Sequence, residues 1–352
     1  MSRPPTGIPR PSWPRAALTV LLAAVLVFLL PYERLAPGGR HTGGRGTPEH
    51  EPPPGPLPGV PSGFFTGSDE AGVRRIAQVQ AWLGGETLTV GHTYLPGDRW
   101  SNIEGHPALF GPWARWLEER PGRLFVLNVP LLDRNEEGLP DAEVRTGLRR
   151  GAAGAFDAHF RVLGERLVEH GLGDAVLVLG WEMNGTTYSH RCGPDPTAWK
   201  AYWRRVVGVL RGVEGQRFRF DFTPSRGLDA VAWPRCYPGD DVVDIIGMDA
   251  YDQPAGLSFD EQVTEEYGLA DHVRFAAAHG KPVSYPEWGL FRNGDNPVYV
   301  RGMLDWFATY RPVYQTVTDY CPHGVWECAD NPESARIVRG ALGGASGEPD
   351  RS

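Results

Sequence analysis

The stretch that decides the fold is AVLVLGWEMNG, residues 175–185. Ala175 to Leu179 are apolar without a break, so this segment lacks the polar face of a half-exposed strand. A strand apolar on both sides is buried on both sides, as in a parallel sheet covered by helices. Glycine, tryptophan and then an acid follow at once. Burying a carboxylate costs several kcal/mol unless it is paired, hydrogen-bonded or needed for chemistry. Glu182 is therefore expected where a buried strand opens onto solvent.

Seven further runs read as strands on either side of this one: GFFTG (63–67), TLTVG (87–91), RLFVLNVP (123–130), RFRFDFTP (217–224), VVDIIGMD (242–249), PVSYPEW (282–288) and YQTVTDY (314–320). Helical spacing lies between them. Asp195 is a good N-cap with Pro196 at the first helical position, and Trp199, Tyr202, Trp203, Val206, Val207 and Leu210 then mark one apolar face. Phe156, Phe160, Leu163 and Leu167 mark another such face, and a third helix starts near Asn296–Pro297 and turns Met303, Trp306 and Phe307 inward. Eight strands alternating with helices predict an α/β fold, a (β/α)8 TIM barrel over residues 61–342. A doubly wound open sheet would need a glycine-rich phosphate turn after its first strand, and FTGSDEAG is a poor one.

The N-terminal region differs from the rest. Arg3, Arg10 and Arg15 precede an uncharged run at 16–30, an export pattern that predicts a signal-anchor or a signal peptide over residues 1–32. PYERLAPGG after it lacks a clear A-x-A cleavage site, which favours the uncleaved anchor; cleaved or not, the pattern predicts an extracytoplasmic location for the residues after 31. Residues 33–60 read as a Gly/Pro-rich linker and 343–352 as a flexible tail. The formal net charge of −8 gives no basic footprint for nucleic acid. Four cysteines suit an exported protein with two disulfides. Three pairings are possible; Cys321 with Cys328 and Cys192 with Cys236 is the one we expect. A zinc site would want a C-x-x-C or a second ligand pair at fixed spacing, which the sequence lacks.

In a barrel of this kind the active site lies at the C-terminal ends of the strands. His92, Glu182, Asn184, Asp249, Tyr251 and Glu287 fall at those ends. Two acids on the fourth and seventh strands are the equipment for glycosidic cleavage, one protonated to release the leaving oxygen and the other ionised. Trp181 and Trp288 flank them and are expected to exclude water or to stack on a sugar face.

GWEMNG, IIGMDAYDQ and KPVSYPEWGL together resemble glycoside hydrolase family 26 of clan A, which includes β-mannanases. The resemblance covers most of residues 60–340. It implies retaining hydrolysis of a β-linked polysaccharide with Glu182 as acid/base, Glu287 as nucleophile and Tyr251 hydrogen-bonded to that nucleophile. Asp249 would sit beside Tyr251, and Asn184 would orient the acid/base loop. The chain departs from the family pattern at Trp181, where members often have His, and at Val178, where they often have Arg. In TTYSH only Tyr188 remains of a tryptophan-rich stretch, so Thr187 and His190 stand where large rings are common. These changes bear on sugar specificity more than on hydrolysis. The expectation is a monomeric endo-β-glycosidase, anchored to the membrane or secreted, with no metal or organic cofactor. A glycan-binding protein on a former hydrolase scaffold is the alternative.

Overall fold

The computed structural model describes residue 57 and residues 59–343. The expected anchor, most of the linker and all but the first residue of the tail lie outside the described residues. Among the described residues no helix is long and apolar enough to cross a membrane.

Eight parallel strands close into a barrel: β1 (Ser62–Phe65), β2 (Val90–Tyr94), β3 (Leu124–Val129), β4 (Val176–Leu179), β5 (Arg219–Phe222), β6 (Ile245–Gly247), β7 (Val283–Gly289) and β8 (Gln315–Thr318). Each strand pairs with the next in the chain, and β8 returns to β1 with Ser62 opposite Gln315. A two-residue extension of β6, Ala250–Tyr251, pairs with the end of β7. β2 begins three residues later than TLTVG suggests and takes in His92 and Tyr94. Leu57 and Val60, at the end of the expected linker, are buried, and the Leu57 N–H donates to the Ala341 carbonyl at 3.1 Å. The packed domain therefore starts slightly before residue 61.

The strands separate two apolar layers because successive side chains point to opposite faces. Val90, Val126, Val176, Val178, Ile245 and Tyr314 cluster inside the barrel. Phe125, Leu127, Leu177, Leu179, Phe220 and Phe222 face outward and pack under the helices. Gly247 on β6 is set by this filling, since a Cβ there would stand 2.4 Å from Thr223 Oγ1 and 2.6 Å from Asp221 Oδ1.

The helix Pro196–Arg211 has the expected start, with the Asp195 carboxylate accepting the Ala198 N–H at 3.0 Å. All six residues of its predicted face are buried. The helices Asp157–Glu169 and Pro297–Tyr310 likewise bury the residues read as apolar stripes. Between β5 and β6 a long loop and a 3-10 turn, Trp233–Cys236, replace the expected helix.

Both expected disulfides are present, Cys192–Cys236 and Cys321–Cys328. The first joins the loop after β4 to the turn after β5, and both of its cysteines are fully buried. Replacing Cys192 and Cys236 together by alanine should lower stability by about 2–5 kcal/mol, read from urea unfolding of the oxidised proteins.

Candidate active site

Glu182 lies just beyond β4. Its backbone is left-handed at φ 49°, and its N–H donates to the Thr223 carbonyl at 2.8 Å. Asn184 clamps the neighbouring loop, giving its amide to the Ser225 carbonyl at 3.0 Å and accepting the Ser225 N–H at 2.9 Å. Glu287 comes from inside β7, where the register shifts between Tyr285 and Trp288. Tyr285 and Trp288 both pack outward on Phe307, so this bulge turns Glu287 toward the barrel axis.

Glu287 is nearly shut off from water and well supplied with donors. The Asn128 amide reaches Oε1 at 3.0 Å, and the Tyr251 hydroxyl reaches Oε2 at 2.7 Å. Asn128 is in turn held by His92 Nε2 at 2.9 Å, and Tyr251 by Thr318 at 2.8 Å. Burial lifts the Glu287 carboxyl above its ordinary range, opposed by hydrogen bonds from Tyr251, Tyr94 and Asn128. Glu182 is pushed up to about 7 by burial and then by the charge of Glu287, with the Ser225 and Tyr188 hydroxyls pulling partway back. Burial brings His92 down to about 4, so its ring is neutral and donates to Asn128 through Nε2. Asp249 is buried beside the two acids, no side-chain donor reaches either of its oxygens, and it is raised well above the carboxylate range.

A cleft of about 680 Å³ runs over this point. Glu182, Glu287, Tyr251 and Tyr188 line it, together with Thr187, Ser225, Arg226, Asp229, Phe291, Arg292, Tyr320 and His323. His92, Asn184 and Asp249 are fully or almost fully buried and support the lining from behind. Of the two tryptophans expected to flank the acids, only Trp181 lies on their side of the sheet. Trp288 points into the outer layer, its indole N–H bonded to Gln315. Trp181 is buried over the barrel interior, with the Tyr94 and Tyr188 rings at 5.8 and 5.0 Å. Thr187 is exposed on the cleft, but His190 is buried under Tyr188 and bonded to the Trp181 carbonyl at 2.9 Å. A large ring at 190 would therefore disturb packing instead of meeting a sugar.

Sequence reasoning missed Asn128 and the loop residues after β5, β7 and β8. Asn128 was signalled by its polarity inside the apolar run LFVLNVP. Arg226 was not signalled. Its guanidinium is buried in the cleft wall, paired with Glu265 and bonded to the Tyr251 carbonyl at 3.2 Å, and it ties the β5 and β6 loops together.

Removing a donor to the charged form raises a carboxyl's pKa. In Tyr251→Phe, and separately in Asn128→Ala, the Glu287 carboxyl should titrate at higher pH than in the parent, read from ¹³C NMR of labelled glutamate.

Residues 179–288 match the sequence profile of Glycosyl hydrolase family 26. No curated protein matches the chain in sequence. Among solved structures, the YdhT protein of Bacillus subtilis shares the fold at TM-score 0.60 and 14% identity, over 81% of this chain and 86% of that one. The catalytic domain of the Bacillus sp. JAMB-750 GH26 endo-β-1,4-mannanase superposes at TM-score 0.59 and 18% identity, over 80% and 87% of the two chains. The mannanase man26 of Bacillus subtilis does so at TM-score 0.57 and 15% identity, over 83% and 89%. The profile match runs from the end of β4 to Trp288 in β7 and so includes both acids of the cleft. On that match, the chain resembles glycosyl hydrolase family 26 over the segment that carries both acids, and the solved structures show that it shares their barrel fold.

Proposed function

We propose that this enzyme is a retaining endo-β-glycosidase acting on β-mannan or a closely related β-glycan. In this reading the Glu287 carboxylate attacks the anomeric carbon, and Glu182 gives its proton to the departing oxygen. Glu182, now ionised, then takes a proton from the water that releases the sugar from Glu287. The observation that carries the reading is the unequal treatment of two neighbouring acids. Glu287 has three donors favouring its charge, whereas burial and the charge of Glu287 hold the proton on Glu182 up to about 7. An open cleft across the barrel mouth suits internal cleavage of a chain, and the mannanases that share this fold supply the sugar class. Two disulfides support the proposal that the enzyme works outside the cytoplasm, tethered or secreted.

Glu287→Ala should abolish turnover of every substrate, because no glycosyl-enzyme can form. Glu182→Ala should lose about 10²–10⁴-fold on polysaccharide and far less on an aryl glycoside with a good leaving group. Retention is read by ¹H NMR of the first anomer released from a defined oligosaccharide; an inverted anomer rejects the mechanism. A wild-type protein that binds mannan without cleaving it would support the binding-scaffold alternative instead.

The pH dependence has a fixed sign. The reacting form has Glu182 protonated and Glu287 ionised, so kcat/KM should fall as pH rises through about 7 and Glu182 loses its proton. In Glu287→Gln the negative neighbour is gone, and the Glu182 carboxyl should titrate lower, measured by carboxyl NMR.

A further inference from the structure

The loop after β7 carries a cation into the cleft. The Arg292 guanidinium carbon lies 4.0 Å over the Phe291 ring, so the ring backs one face of its plane. Both residues line the cleft. Arg292 is exposed, and its side chain makes no ion pair or hydrogen bond with any described residue. The other arginine in the lining, Arg226, is already paired with Glu265. A short relay of rings sets the position of Arg292 relative to Glu287. Tyr251, bonded to Glu287, lies 4.8 Å from the His323 ring, and His323 lies 4.7 Å from the Phe291 ring. His323 Nδ1 is committed to the Leu290 carbonyl at 2.7 Å, which fixes this wall. The acids Glu182 and Asp229 belong to the loops after β4 and β5, with Asp229 set against Gly185.

We propose that Arg292 is a specificity residue that pairs with a carboxylate on a sugar unit near the cleavage point, so that the preferred glycan carries uronic acid residues. A guanidinium stacked on a ring is held in one plane and presents a fork that matches a carboxylate in two-point contact. A neutral hexose offers only a hydroxymethyl group there. The proposal rests on the cleft being the glycan site and narrows which glycan fills it.

The test compares the full chain on one β-mannan and on the same mannan partly oxidised at C6, where hydroxymethyl becomes carboxylate. At low ionic strength the oxidised polymer should be turned over with about fivefold higher kcat/KM, the scale of an exposed ion pair. In Arg292→Gln that ratio should fall to near one, and in the wild type it should shrink as salt screens the pair. Arg161→Gln, on an exposed helix position away from the cleft, removes the same charge and should keep the ratio. The net charge of −8 disfavours polyanions overall, so a preference can only be local. A wild-type ratio of one or less, or a ratio unchanged in Arg292→Gln, overturns the proposal. If the wild type cleaves neither polymer, the glycosidase reading fails. Affinity electrophoresis of the same three proteins in the two polymers then decides the carboxylate preference, with equal retardation overturning it.

Discussion

The two-residue repeat of an extended strand, interrupted once, determines what this barrel shows to its ligand. Along β7, Ser284 points inward and donates to Asp221 at 2.6 Å, and Tyr285 points outward. Unbroken alternation would send Glu287 outward under the helices. The irregularity between Tyr285 and Trp288 reverses the phase and delivers the acid to the interior. Only there can an amide from β3 and a phenol from the β6 extension reach it. The cleft chemistry thus depends on one local departure from regular pairing.

Beneath that point the barrel carries more acid than a stable core requires. Asp221 is buried and accepts hydrogen bonds from Thr223, Ser284 and Tyr314 at 2.9, 2.6 and 2.6 Å. Asp249, between it and the cleft, lacks such donors. The same low dielectric acts on all four carboxyls, and the supply of donors sorts them. Where hydroxyls and amides converge, as at Asp221 and Glu287, they oppose the upward push of burial; at Asp249 no side-chain donor does so. Side chains from β3, β6, β7 and β8 therefore set the protonation pattern together, and the barrel acts as one electrostatic unit.

Much of the fold was legible because its signals are local. Both-face apolar runs such as AVLVL and the helix from Asp195 can be read without knowing any partner. The absent helix after β5 was less readable, since the loop that replaces it is held by a disulfide and by packing of Trp233. Glu182, Glu287 and Tyr251 were legible as polar residues ending apolar strands. Trp288 was misread because adjacency in sequence suggests adjacency in space, and an extended chain sends neighbours to opposite faces. His190 was misread for a related reason, since its loop folds back over Trp181. Arg226, Arg292 and His323 sit on loops, where no period tells which way a side chain turns.

Glu182 holds a backbone conformation that glycine adopts freely and that other residues enter at a cost of about 1–3 kcal/mol. Selection for folding alone would favour losing its side chain, leaving an intact barrel and cleft. If the proposed function holds, the acid persists only while its chemistry is useful, and a lineage released from that demand has a downhill path to a scaffold that would hold glycans without cutting them.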